Sequence, residues 1–293
     1  MKRILARVVL VLIGIGFFVV VLWGTVFPFS AMKPIQYIVP SVATSTTAVP
    51  TKRVITPPPI TAPNESPNAT LTRDGVFRWT NIMRRDTGGF APLTQNAKLT
   101  AAAEMKLKDM FDLQYFEHIS PDGVGPAGLA GRVGYAYITI GENLALGNFE
   151  NDEALIDAWM ASPEHRANIL RSSFSEIGIA VGRGMYRGHM TWLAVQEFGR
   201  PLSACPVVDS RLKAGIAENE SLVRQLTIQA QELKSEIDAL RRPRTREDVD
   251  AYNAKVNAYN ALVEQINALN QRIQRDVATY NAEVDVFNTC ANQ

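Results

Sequence analysis

Between Pro206 and Gln293 apolar residues recur at alternating steps of four and three, a period that only paired helices satisfy. Leu212, Ile216, Val223, Leu226 and Leu233 mark one seam, and Val249, Val256, Val263, Ile266 and Val277 mark a second. Pro243, in the arginine-rich stretch 241–246, stops the first helix. Thr245 and Asp248 supply a capping box for the second. The spacing predicts an antiparallel coiled-coil hairpin over 205–293. Facing residues of such a pair share one residue-number sum, and Leu240 with Val249, Leu226 with Val263 and Leu212 with Val277 all share it. The polar residues of the two seams, Asn219 and Asn270, share it too. Asparagines at seam positions fix register at some cost in stability, and these two are expected to satisfy each other. Cys205 and Cys290 flank the hairpin. They either close its base as a disulfide in an oxidising compartment or stay free thiols.

The N-terminus has a different character. Lys2, Arg3 and Arg7 precede a charge-free run from Val8 to Met32, long enough to cross the roughly 30 Å hydrocarbon layer as a helix. A cleaved signal peptide would want small residues before its cut, and Phe29-Ser30-Ala31 offers a bulky one. The expectation is an uncleaved single-pass membrane anchor over 1–32, N-terminus cytoplasmic and the rest extracytoplasmic. Residues 33–71, rich in Pro, Thr and Ser, read as an extended or disordered linker. Lys and Arg number 30 against 29 Asp and Glu, so no charge asymmetry points to nucleic acid.

Residues 72–200 mix periods. Helical spacing marks Asp74–Arg85, a stretch from Leu99 to Phe111 capped by Thr94 or Asn96, and a third capped by Asn151 or Asp152. Strand alternation then appears in Glu176–Gly182 and Met190–Phe198, a hairpin signal. The two cysteines form no CxxC, which excludes a Cys-rich zinc site. A histidine-based site must draw on His118, His165 and His189, and His189 falls by Gly188 in the hairpin turn. The motifs FEHISPDG, GENLA and WMASPEHRANIL carry His118, Glu142 and His165. Imidazoles with a carboxylate suit a divalent cation such as Zn²⁺, and they suit acid–base work near neutral pH. The other reading makes each histidine a hydrogen-bonding keystone of its loop.

In order and spacing these motifs, with EIGIAVG, resemble the CAP superfamily (cysteine-rich secretory, antigen 5 and pathogenesis-related proteins; SCP-like) in its bacterial branch, over about residues 73 to 199. The resemblance implies an α+β fold, a three-layer α-β-α sandwich, with a cleft of two His and two acidic residues that binds a divalent cation in some members. His118, Glu142 and His165 match three of those places. The second acidic residue follows the helix tryptophan by three positions in eukaryotic forms; here Ser162 stands there, with Glu164 as substitute. The chain then reads as anchor, linker, CAP-like domain and helical hairpin. The leading function is a non-enzymatic envelope module that binds lipid, glycan or protein. A metal-assisted hydrolase with Glu142 as ligand or base is one alternative. An adaptor working through the hairpin is another.

Overall fold

The computed structural model describes residues 18–22, 25–36, 52–240 and 245–292. In chain order its elements are β1 (Phe18–Leu22), β2 (Thr25–Phe29), β3 (Arg53–Ile55), β4 (Ile60–Thr61), α1 (Arg73–Gly88), β5 (Thr94–Gln95), α2 (Ala97–Leu113), α3 (Pro126–Arg132), β6 (Tyr137–Leu146), α4 (Asp152–Ala161), α5 (Pro163–Ile169), β7 (Glu176–Tyr186), β8 (His189–Pro201), a 3-10 turn Leu202–Ala204, α6 (Ser210–Ala239) and α7 (Arg246–Ala291). They divide into two compact units. One holds Thr46–Val207 with Val284–Gln293, the other Met1–Ser45 with Val208–Glu283.

The first unit is built on a sheet of order β3-β6-β8-β7-β5, with β4 also beside β6. β6, β8 and β7 run antiparallel, whereas β3 and β4 lie parallel to β6. Strand alternation sorts the side chains onto two faces. Leu144, Ala180, Leu193 and Val195 pack with Ala103 and Met110 of α2. Ala145, Ile179, Ala194 and Phe198 pack with Val76 of α1 and Leu155 and Trp159 of α4. The result is the three-layer sandwich. Arg187 (φ 49°) and Gly188 (φ 85°) make the two-residue hairpin turn, the primed geometry that matches strand twist. Asn96 and Asn151 are the helix caps, each accepting a backbone N–H of its first turn.

α2 lies so close to β7 that Gly178 has no room for a side chain. A Cβ there would stand 2.0 Å from the Leu99 carbonyl carbon and 2.1 Å from the Thr100 nitrogen, both backbone atoms. Gly178→Ala is expected to lose roughly 1–3 kcal/mol or more of stability by urea unfolding, because backbone cannot rotate away. Gly131→Ala, with nothing within 4 Å of the added carbon, is the matched control and should change little.

The stalk expectation is corrected for residues 52–71. Arg53–Ile55 and Ile60–Thr61 are strands on the edge of β6 rather than disordered linker. Composition hid this, because Pro57-Pro58-Pro59 between the strands reads as a breaker. The prolines do interrupt the ladder, since they have no N–H to give it. Pairing stops after Ile55 opposite Gly141 and resumes at Ile60 opposite Ala145.

In the second unit α6 and α7 share one apolar core. Ala230 and Ile237 meet Val256, Tyr259, Val263 and Ile266. Lys255 pairs with Glu236 across the two helices, within two residues of the expected register. Thr245 and Asp248 exchange backbone N–H bonds at 2.9 and 3.1 Å, the expected capping box. The seam asparagines behave otherwise. Asn270 gives its amide to the Gln36 carbonyl at 3.0 Å, a partner supplied by the N-terminal segment rather than by Asn219. Arg241, Arg242 and Arg244 lie outside the described residues.

Among the described residues no helix is long and apolar enough to cross a membrane. The expected spanning helix falls partly outside them. Its described parts, Phe18–Leu22 and Thr25–Phe29, are paired antiparallel strands, Phe18 opposite Phe29 and Leu22 opposite Thr25. Val19, Val20 and Val21 are β-branched, a composition that favours strand over helix. Apolar length alone carried the helix expectation, and it does not discriminate between the two.

Candidate functional site

The interrupted edge of β6 is where the chemistry collects. Glu142 stands opposite Glu197 of β8, and both carboxyls are buried. They lie on the sheet face that carries α2, whose Lys106 is buried as well. Lys106 spends its three N–H bonds on the loop after α2: Glu117 carbonyl at 2.6 Å, His118 carbonyl at 2.8 Å and Tyr115 hydroxyl at 3.2 Å. Those bonds fix the loop that delivers His118. Burial pushes the Lys106 ammonium down from its ordinary value, and the Glu142 and then Glu197 carboxylates act against that.

Glu197 is held well above the usual carboxylate range. Burial is the main cause, followed by the charge of Glu142 and a hydrogen bond to it, with Lys106 opposing. Glu142 Oε2 and Glu197 Oε1 are both buried without a hydrogen-bond partner among the described residues. Glu142 Oε1 lies 2.5 Å from His118 Nδ1. His118 Nε2 meets the carbonyl oxygen of Pro57. A carbonyl only accepts, so Nε2 carries a proton and donates it. A chain of hydrogen bonds therefore runs from Glu142 through His118 to the backbone of the proline run, with Glu197 facing Glu142 across the sheet.

His165 sits at the buried side of α5, its Nδ1 2.8 Å from Ser162 Oγ. Its Nε2 is buried and unpartnered among the described residues. Burial first, and then His118, push the His165 imidazole down to about 4. Asn143 of β6 and Asn168 of α5 brace the site. Asn168 Nδ2 donates to Asn143 Oδ1 at 3.0 Å and to the Ile55 carbonyl at 3.4 Å, and Asn143 Nδ2 donates to the His165 carbonyl at 3.4 Å.

Of the expected residues, the structure thus brings His118 and Glu142 into contact and sets His165 near enough for His118 to act on it. Glu164 is exposed on the first turn of α5, and Glu197 is the carboxyl that faces Glu142. Glu197 had a legible signal: it shares strand parity with Leu193 and Val195, a buried face where a glutamate is out of place. Lys106 is legible in the same way, at core phase with Ala102, Ala103 and Met110 of α2. His189 is exposed, at the start of β8.

Of the ring nitrogens of His118 and His165, only His165 Nε2 is left open to a divalent cation among the described residues. Both nitrogens of His118 and Nδ1 of His165 are engaged. Among the described residues no group of three or more His, Cys, Asp or Glu is placed to hold a metal ion. What the array does present is a polarised N–H that takes a carbonyl oxygen.

Stability should follow these groups with pH. The folded state keeps His165 neutral, so the unfolded chain binds more protons between pH 6.5 and about 4. Stability should fall as pH drops through that window, by on the order of 3 kcal/mol at the acid end. Glu197 works in the opposite direction. Its folded carboxyl stays protonated above the ordinary value of 4.5, so stability drains as pH rises from there. Urea midpoints measured across pH should show that His165→Gln removes part of the acid loss and Glu197→Gln part of the alkaline loss.

The α+β sandwich is consistent with a bacterial CAP domain. Residues 77–198 match the sequence profile of the cysteine-rich secretory protein family, CAP, and that segment belongs to it. Over 104 residues the chain is 38% identical to the uncharacterized protein YkwD of Bacillus subtilis, a match covering 36% of this chain and 40% of that one. The chain thus spans about two fifths of that relative's length. Among solved structures, an extracellular protein containing a SCP domain from Bacillus anthracis is 27% identical, with 44% of this chain and 40% of that one covered and a TM-score of 0.37. A cysteine-rich secretory protein from Staphylococcus aureus is 25% identical, with 44% and 38% covered and a TM-score of 0.34.

Proposed function

We propose that this chain is an extracytoplasmic binding module of a bacterial cell envelope for a lipid, glycan or protein ligand, and that a carbonyl oxygen of the ligand takes the place of the Pro57 carbonyl on His118. The observation that carries the reading is the His118 Nε2–H, backed by Glu142, donating to the Pro57 carbonyl. Location rests on the Cys205–Cys290 disulfide, which persists in oxidising compartments, and on the basic-then-apolar N-terminus that directs a chain to the membrane. The coiled-coil character of the helix pair belongs to the same proposal, whereas its use as an adaptor is a separate alternative.

The hydrolase alternative needs a base or a metal to activate water. His118 Nε2 already carries a proton, and His165, pushed down to about 4, is a weak base at neutral pH. Calorimetric titration of the full chain with Zn²⁺ at pH 7 tests the choice. Binding weaker than about 1 mM, worth less than ~4 kcal/mol, is expected. Stoichiometric micromolar binding, abolished in His118→Ala/His165→Ala, would overturn the binding-module reading in favour of a metal enzyme.

A further inference from the structure

Asn253, Asn260 and Asn267 stand one heptad apart on α7. Each accepts a backbone N–H from the segment that runs along the helix pair. Ser30 donates to Asn253 Oδ1 at 2.9 Å, Lys33 to Asn260 Oδ1 at 2.7 Å and Gln36 to Asn267 Oδ1 at 3.0 Å. Asn260 Nδ2 returns a bond to the Ala31 carbonyl at 2.9 Å, and Asn270 Nδ2 one to the Gln36 carbonyl at 3.0 Å. Met32 and Ile35 pack into the core of the helix pair. Lys33 also forms an ion pair with Glu264.

The two periods match for a physical reason. Seven residues of α-helix rise about 10.5 Å. Three residues of extended chain cover roughly 9–10 Å, and a polyproline-II strand turns the same side to its partner every third residue. A heptad ladder of asparagines therefore reads every third N–H of an extended chain. The apolar residues fall on their own three-residue repeat, Met32 and Ile35. Pro34, the only residue of 30–36 without an N–H, falls where no asparagine reads. Most of the recognition is of backbone, so it depends on chain conformation and on two apolar positions more than on the rest of the sequence.

We propose that this asparagine ladder is a peptide-binding site for an extended, polyproline-II-like chain with an apolar residue at every third position. Residues 30–36 are its resident ligand, and an equivalent segment of another polypeptide can take their place. Gln274 and Asn281 continue the heptad series, and Asn281 Oδ1 is buried without a hydrogen-bond partner among the described residues. This site lies on the helix pair, and its occupancy does not depend on the CAP cleft reading.

The test uses the full chain. Met32→Asp/Ile35→Asp unseats the resident segment and leaves the asparagines intact. A fluorescent peptide of residues 30–36 should then bind saturably to the variant, and at least about tenfold more weakly to the wild type, whose site is filled. A peptide with Lys33→Pro lacks the N–H that Asn260 accepts and should bind at least about tenfold more weakly than one with Lys33→Ala. A variant with its helical circular dichroism intact that takes no peptide overturns the proposal, as does equal binding of the two altered peptides. If the variant loses its helices, amide exchange in the wild type decides. Slow exchange at Ser30, Lys33 and Gln36 with fast exchange at Ala31, Met32 and Ile35 supports the ladder, and uniform rates overturn it.

Discussion

Glu142→Ala should lower the stability of the CAP unit by about 3–5 kcal/mol, the cost of removing one partner from a buried charged network. Glu142 Oε1 lies 2.5 Å from His118 Nδ1, its side chain faces Glu197 across the sheet, and its charge supports Lys106. Without it His118 Nδ1 and the Glu197 carboxyl both lose the side chain they face, with the Lys106 ammonium buried behind. Glu142→Gln keeps the shape and one acceptor oxygen, so its loss should be smaller, about 1–3 kcal/mol. Urea unfolding followed by tryptophan fluorescence reads both, since Trp79, Trp159 and Trp192 pack in the same cluster. Equal, small losses for the two variants would mean that the carboxyl pair and the histidine do not act as one network.

The Cys205–Cys290 disulfide carries the second large effect. It closes a loop of 85 residues, and fixing such a loop in the unfolded chain is worth roughly 4–5 kcal/mol. Around it Ile138, Leu202, Phe287 and Ala291 form an apolar cluster that joins the last turns of α7 to the CAP unit. Cys205→Ser/Cys290→Ser should therefore lower the melting temperature of that unit by about 10 °C or more. Reduction of the wild type should reproduce the shift. An unchanged melting temperature would mean that the cluster alone holds the C-terminal turns.

What the sequence revealed depended on whether one period governed the segment. The caps at Asn96 and Asn151, the Thr245–Asp248 box and the hairpin of β7 and β8 are local, and each is where its pattern put it. Residues 52–61 obey no period, because three prolines separate two short strands whose partner, β6, lies some eighty residues away. Asn270 shows the same limit. Its number fits the seam, but its hydrogen-bond partner comes from Gln36, which no heptad arithmetic reaches. In the site, His118 and Glu142 were legible through their motifs. Glu197 was legible only as a glutamate at buried strand parity, its pairing with Glu142 being set by strand register, and Pro57 was not legible because a backbone carbonyl leaves no mark on a sequence.

The central claim is that His118 is a proton donor to a carbonyl, held in that role by Glu142. Nitrogen NMR of the full chain with ¹⁵N-labelled histidine tests it most directly. At pH 7 the His118 Nε2 should show a directly bonded proton, and one equivalent of Zn²⁺ should leave its resonance unmoved. Glu142→Gln should perturb the Nδ1 resonance. An Nε2 without a proton that shifts on stoichiometric addition of zinc would contradict the claim and make His118 a metal ligand.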